Sequence, residues 1–188
     1  LKKLFALVIM LFLALLFVAC YKAINVGNGS TAKTSQIDKS GEDIADIVGE
    51  QLKSDMVKVI VELPDGWEQV KGSVLEHQYM KNTASFMVKT ENFTNNTLDD
   101  VVNEAIEIYT KIFADFKTQI PEKISIDGKE ARKLTFTCTV SNMDMKYFYV
   151  YLFAGGKIYV LTFGDLLNSF DSLSEDYEVI LDSIQFIQ

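Results

Sequence analysis

The stretch Lys129–Phe163, KEARKLTFTCTVSNMDMKYFYVYLFAGGKIYVLTF, decides the architecture of this chain. It holds three runs, Lys129–Val140, Lys146–Ala154 and Lys157–Phe163, separated by Asn142-Met143-Asp144 and by Gly155-Gly156. Alternating β-branched and aromatic residues predict strands, and the short Asn- and Gly-bearing breaks predict tight hairpin turns. In the first run Leu134, Phe136, Cys138 and Val140 share one side, and Thr135, Thr137 and Thr139 share the other. The second run is apolar on both sides, Tyr147, Tyr149, Tyr151 and Phe153 against Phe148, Val150, Leu152 and Ala154. A strand apolar on both sides lies centrally in a sheet and is covered twice.

Working upstream, Asp127-Gly128 joins a strand at Lys123–Ile126 to the run that begins at Lys129. Before it, Leu98, Val101, Val102, Ala105, Ile106, Tyr109, Ile112, Phe113 and Phe116 form one stripe at helical spacing, capped by Thr97. Asp99, Asp100, Glu104 and Glu107 sit in its first half and Lys111 and Lys117 in its second, which suits the helix dipole. This predicts a helix that runs until Ile120-Pro121 stops it.

Earlier still, Val57, Val59 and Val61 mark a strand, Pro64-Asp65-Gly66 a turn before Trp67, and two further strands run over about 73–80 and 84–91. Lys81-Asn82-Thr83 turns the chain between them, and Phe86, Val88 and Thr90 share a face. Asn92-Phe-Thr94 and Asn95-Asn-Thr97 match the glycosylation acceptor pattern but read as a loop. Ser40-Gly-Glu-Asp43 opens a short helix over about 42–53, with Glu42, Asp43, Asp46 and Glu50 on its solvated face. Ser172-Leu-Ser-Glu175 opens a last helix that buries Leu173, Tyr177, Ile180, Leu181 and Ile184, and Ser183–Phe186 closes as a short strand.

The N-terminal stretch speaks to location. Lys2 and Lys3 lead an unbroken apolar run, Leu4–Ala19, which ends on Phe17-Val18-Ala19-Cys20. A cationic start, an apolar core and small residues before a cut are the design of a secretory signal. The run is shorter than the roughly 20 apolar residues of a spanning helix. Placed against an uncleaved signal anchor or a secretory signal with a chance cysteine, the Val-Ala-Cys ending favours a third reading. It resembles the lipobox of bacterial lipoproteins, although Phe17 stands where Leu is commonest. That resemblance implies cleavage before Cys20, a lipid on its thiol, and anchoring of the mature chain to the membrane. Residues 1–19 are then a lipoprotein signal peptide, 20–40 the lipidated cysteine and a polar tether, and 41–188 one domain.

Composition narrows the partners. Of 18 Lys and Arg, two leave with the signal; against 26 Asp and Glu the exported part carries about −10. Such acidity speaks against nucleic acid and against lying flat on anionic lipid. With Cys20 lipidated, Cys138 has no partner for a disulfide and reads as a small buried hydrophobe. His77 is the one histidine and stands on a strand, remote in sequence from Cys138. A zinc site is disfavoured by that count. Asp165, Asn168 and Asp171 are a loose calcium candidate, but they lack the order of an EF-hand.

The order of pieces carries a further resemblance. Pro64-Asp65-Gly66-Trp67, Asp127-Gly128-Lys129-Glu130-Ala131, and Gly156-Lys157-Ile158-Tyr159 through Thr162 follow one another across Val57–Ile187. The chain resembles the PsbP-like family, which groups PsbP, Mog and DcrB-type lipoproteins. The resemblance implies an α+β fold, an antiparallel β-sheet sandwiched between helices (α/β/α). It also implies a non-catalytic binding or assembly role without a cofactor. The expected function is a lipid-anchored, extracytoplasmic, non-enzymatic domain that binds another envelope protein. A small-ligand or metal-ion binder is the alternative, and an enzyme the third reading. Beyond lipid attachment at Cys20, the candidate binding surface is Thr135, Thr137 and Thr139 beside Tyr147, Tyr149 and Tyr151, provided that face of the sheet is open. No catalytic and no metal-ligating set is assigned.

Overall fold

The structure, a computed structural model, describes residues 57–187. The expected signal peptide, Cys20, the expected tether and the helix expected over 42–53 lie outside the described residues. The elements in chain order are β1 (Lys58–Ile60), β2 (Glu68–Gln69), β3 (His77–Lys81), β4 (Ala84–Glu91), α1 (Leu98–Ile112), β5 (Ala114–Thr118), β6 (Glu122–Ile126), β7 (Lys129–Val140), β8 (Met143–Ala154) and β9 (Lys157–Leu166). A 3-10 turn at Phe170–Leu173, α2 (Ser174–Ser183) and β10 (Gln185–Ile187) follow.

Eight strands make one antiparallel sheet in the order β2-β3-β4-β9-β8-β7-β5, with β6 on the same edge of β7 as β5. β1 and β10 form a separate two-stranded ribbon. The four strands β6-β7-β8-β9 are joined in succession by three two-residue hairpins. Ile126 faces Lys129, Val140 faces Met143 and Ala154 faces Lys157 across them. Both loop residues are left-handed in each: Asp127 and Gly128 (φ 50° and 69°), Ser141 and Asn142 (51° and 62°), Gly155 and Gly156 (53° and 70°). This turn matches the twist of antiparallel strands and pins their register. The middle turn therefore sits at Ser141-Asn142, and Met143 and Asp144 belong to β8.

Each face of the sheet has its own core. On one, α1 lays Leu98, Val101, Val102 and Ala105 over Leu134, Phe136, Cys138, Tyr149 and Tyr151. On the other, α2 and the ribbon bring Tyr177, Ile180, Ile184 and Phe186 over Phe86, Phe148, Leu152, Leu161 and Phe163. Thr97 caps α1 as expected, its hydroxyl accepting from the Asp100 N–H. With a short helix on each face, neither covering the whole sheet, the domain is a β-rich α+β fold, looser than the expected α/β/α sandwich. Among the described residues no helix is long and apolar enough to cross a membrane.

One boundary needs correction. The stripe read as a single helix to Phe116 breaks after Ile112, and Ala114–Thr118 becomes β5 on the edge of β7. The ladder pairs Ala114 with Thr139 and Lys117 with Thr137, so β5 holds one extra residue, a bulge at Asp115 with φ 53°. The bulge keeps Phe113 and Phe116, three residues apart, in the same cluster under α1. Three-residue spacing thus fits a helix and a bulged strand alike, and the open edge of β7 decides for the strand. Thr90 shares the face of Phe86 and Val88, as expected, opposite Tyr159, but is exposed at the strand end.

Candidate functional site

The Tyr and Thr rows read as one surface are split by the sheet. Cross-strand pairs are Leu134 with Tyr149, Thr135 with Phe148, and Thr137 with Lys146. Opposed residues share a face, so the threonines lie on the α2 side and the tyrosines on the α1 side. The tyrosines are core: Tyr149 is 7 % and Tyr151 0 % exposed, and Tyr147 is half-buried beside them. The Tyr109 hydroxyl on α1 lies 3.0 Å from that of Tyr151. Burial raises the pKa of Tyr149 and Tyr151 well above the ordinary phenol value, which keeps both neutral. Tyr147 leans across β9 at Gly164, where an added Cβ would overlap its ring. The continuous tyrosine-threonine surface is therefore not formed.

The threonine half remains at the rim. Thr135 is buried, and Thr137 and Thr139 are half-buried. The Thr139 hydroxyl reaches Asp115 Oδ2 at 3.0 Å and Asp144 Oδ1 at 3.3 Å. Lys117 stands opposite Thr137, and Lys146 on β8 pairs with Asp171 at 2.6 Å while lying over the Phe170 ring. β5 borders this strip and is the last strand on its side among the described residues. Its residues are exposed except Phe116, and Ile112 (48 %) and Ile120 (89 %) flank it uncovered. A strand edge with unpaired backbone groups, a threonine-lined face and flanking apolar side chains is equipped to pair with another strand.

The chemically versatile side chains are committed elsewhere. Cys138 is buried under α1, and burial pushes its thiol up to about 11. His77 Nδ1 lies 3.1 Å from the Tyr79 hydroxyl on the same strand. Asp165, buried, accepts from the Leu166 N–H (2.7 Å) and the Ser169 hydroxyl (2.8 Å) and so shapes the turn after β9. Asn168 is exposed and Asp171 is taken by Lys146, so the structure does not bring these three together around one point. Among the described residues no group of three or more His, Cys, Asp or Glu could hold a metal ion.

Three features gain a structural meaning that spacing alone did not provide. Trp67, after the Pro-Asp-Gly turn, donates from Nε1 to Asp176 Oδ2 (2.8 Å) at the start of α2, and Lys81 reaches the same oxygen at 2.6 Å. Burial opposes the charge on Asp176, but these two donors hold its pKa below the usual carboxylate value. Arg132 is buried and salt-bridged to Asp99 on α1 and to Glu130. Thr94 and Asn95, in the sequon-like loop, both donate to Glu104 Oε2, tying that loop to α1. Sequence signals existed for the first, in Trp67 after its turn, and were absent for the others.

No family model matches this chain. No curated protein matches it either. Solved structures do. LpqN of Mycobacterium tuberculosis, described as involved in cell envelope biogenesis, matches with TM-score 0.56 at 12 % identity, covering 71 % of this chain and 85 % of that one. PA94 of Pseudomonas aeruginosa, a protein of unknown function, matches with TM-score 0.47 at 15 % identity over 65 % and 77 %. CyanoP, a cyanobacterial PsbP from Synechocystis, matches with TM-score 0.48 at 12 % identity over 70 % and 92 %. At such identities a likeness concerns the fold alone, and of these three LpqN carries that argument. The antiparallel sheet with helices against it, expected from the order of motifs, is present, and LpqN shares that fold.

Proposed function

We propose that this chain is a lipid-anchored, extracytoplasmic, non-enzymatic domain that binds or helps assemble another component of the bacterial cell envelope. The observation that carries the reading is Leu1–Cys20: two lysines, sixteen apolar residues and a cysteine directly after Val18-Ala19. A fold shared with an envelope-biogenesis protein of another bacterium supports the compartment. His77, Cys138 and Asp165 are each engaged in packing or turn geometry. The acidic composition directs the interaction toward protein and away from nucleic acid.

The test is made in intact cells of the host. Labelling with a palmitate analogue is expected to mark the wild-type chain and not Cys20→Ala, and crosslinking with mass spectrometry is expected to recover an envelope protein that the variant loses. An unlabelled wild type removes the anchor. Labelling without any enriched protein removes the assembly role.

A further inference from the structure

We propose that β5 is a self-pairing edge, through which two copies of this chain join their sheets about a two-fold axis at Phe116. The inference goes beyond the envelope role and does not depend on the anchor. The segment is Ile112-Phe-Ala-Asp-Phe-Lys-Thr-Gln-Ile120. Laid antiparallel on itself and centred on Phe116, it sets Asp115 against Lys117 of the second copy, and Lys117 against Asp115. The strand is self-complementary in charge about a single residue.

The geometry agrees with the pattern. The Gln119 N–H donates to the Thr135 carbonyl, so Gln119 turns toward β7. In an antiparallel ladder alternate residues turn opposite ways, which leaves the backbone of Thr118 and Phe116 directed outward. Phe116 on the axis can therefore exchange both its hydrogen bonds with its own copy. Asp115, beside Thr139, and Lys117, opposite Thr137, stand on the same face, so their cross-strand pairs meet on one side of the joined sheet. Phe116 lies on the other face, with α1. There the two rings become cross-strand neighbours, a stabilising arrangement.

Edge strands are usually blunted against pairing, and β5 carries such devices: a bulge, a lysine and Pro121 just beyond Ile120. These disfavour a generic partner strand. They leave self-pairing, in which the lysine meets an aspartate and the pairing stops before the proline.

The full chain is studied in detergent, as a mixture of isotope-labelled and unlabelled protein at up to about 100 μM, a range suited to a weak, small interface. A zero-length carbodiimide couples carboxylates to amines in contact. The expected product is a dimer containing an Asp115–Lys117 link of mixed isotope, and sedimentation velocity is expected to show a concentration-dependent dimer. Asp115→Lys or Lys117→Asp should each weaken the dimer about tenfold or more by opposing like charges. The double exchange Asp115→Lys/Lys117→Asp should restore it. Both side chains are exposed, and a retained thermal transition confirms that each variant folds. A strictly monomeric protein, a dimer linked through other residues, or a double exchange that fails to restore pairing overturns the proposal. So does crosslinking of β5 to a different protein in cells in place of its own copy.

Discussion

Strand β8 shows two rows of side chains to two different interiors. Toward α1 it presents Tyr147, Tyr149 and Tyr151; toward α2 it presents Phe148, Val150, Leu152 and Ala154. The second side is packed by hydrocarbon and rings and is held from its rim, by Trp67 and Lys81 on Asp176. The first is an aromatic cluster in which Phe136 sits within 5.5 Å of the ring centres of Tyr109, Tyr147 and Tyr149, and hydroxyls meet inside it. Tyrosine at alternate strand positions therefore does not distinguish surface from core. A helix bearing its own tyrosine can bury such a row and supply a hydroxyl partner.

The comparison is broken most severely by emptying the α1 side. Tyr151→Ala is expected to destabilise the domain by about 3–5 kcal/mol, the range for removing a buried aromatic ring. If denaturant unfolding shows a loss below about 1 kcal/mol, typical of an exposed site, the tyrosine row is not core. Next comes the close approach of β8 and β9: Gly164→Ala should cost about 1–3 kcal/mol through overlap with Tyr147. Adding Tyr147→Ala should then cost less in that background than in the wild type, and a double-mutant cycle reads the coupling.

The α2 side is sharpened at its rim. Asp176→Asn should cost about 1–2 kcal/mol near neutral pH, since the bonds from Trp67 and Lys81 lose their charge assistance. The folded-state pKa of Asp176 lies below its unfolded value, so this contribution is present above the unfolded carboxylate pKa and is lost as pH falls through the folded one. Between neutral pH and acid, the variant's melting temperature should fall less than that of the wild type. An unchanged acid limb would place the acid sensitivity elsewhere. The smallest effect separates ring from hydroxyl: Tyr151→Phe should cost about 1 kcal/mol, the net worth of one hydrogen bond, and leave the packing intact.

Much of the fold was legible in local chemistry. Asp127-Gly128 and Gly155-Gly156 are turns because their residues tolerate positive φ, and the alternation from Lys129 to Phe163 specifies strands and their faces. Thr97 announces α1 because its side chain satisfies a free N–H at the helix start. The far end of that helix was not legible. Phe113 and Phe116 meet the same cluster whether the chain coils or extends, and no side chain between them states which. The candidate surface failed for a related reason. Within each strand, alternation separates the two faces; which rows of neighbouring strands share a face depends on register, and Leu134 opposite Tyr149 places the threonines on the other side.

By itself the sequence determined most of the order of strands and helices, β5 excepted, the hairpins, the apolar rows and, through Leu1–Cys20, the expectation of export. Those properties depend on residues close together along the chain: a turn's φ, a cap's hydroxyl, the period of apolar side chains. Only the tertiary structure decided that Tyr149 and Tyr151 are core, that Ala114–Thr118 is an edge strand, and that Asp176 collects Trp67 and Lys81. Each of those outcomes joins residues far apart in the chain, and is settled by which backbone edge is open and which face a helix covers.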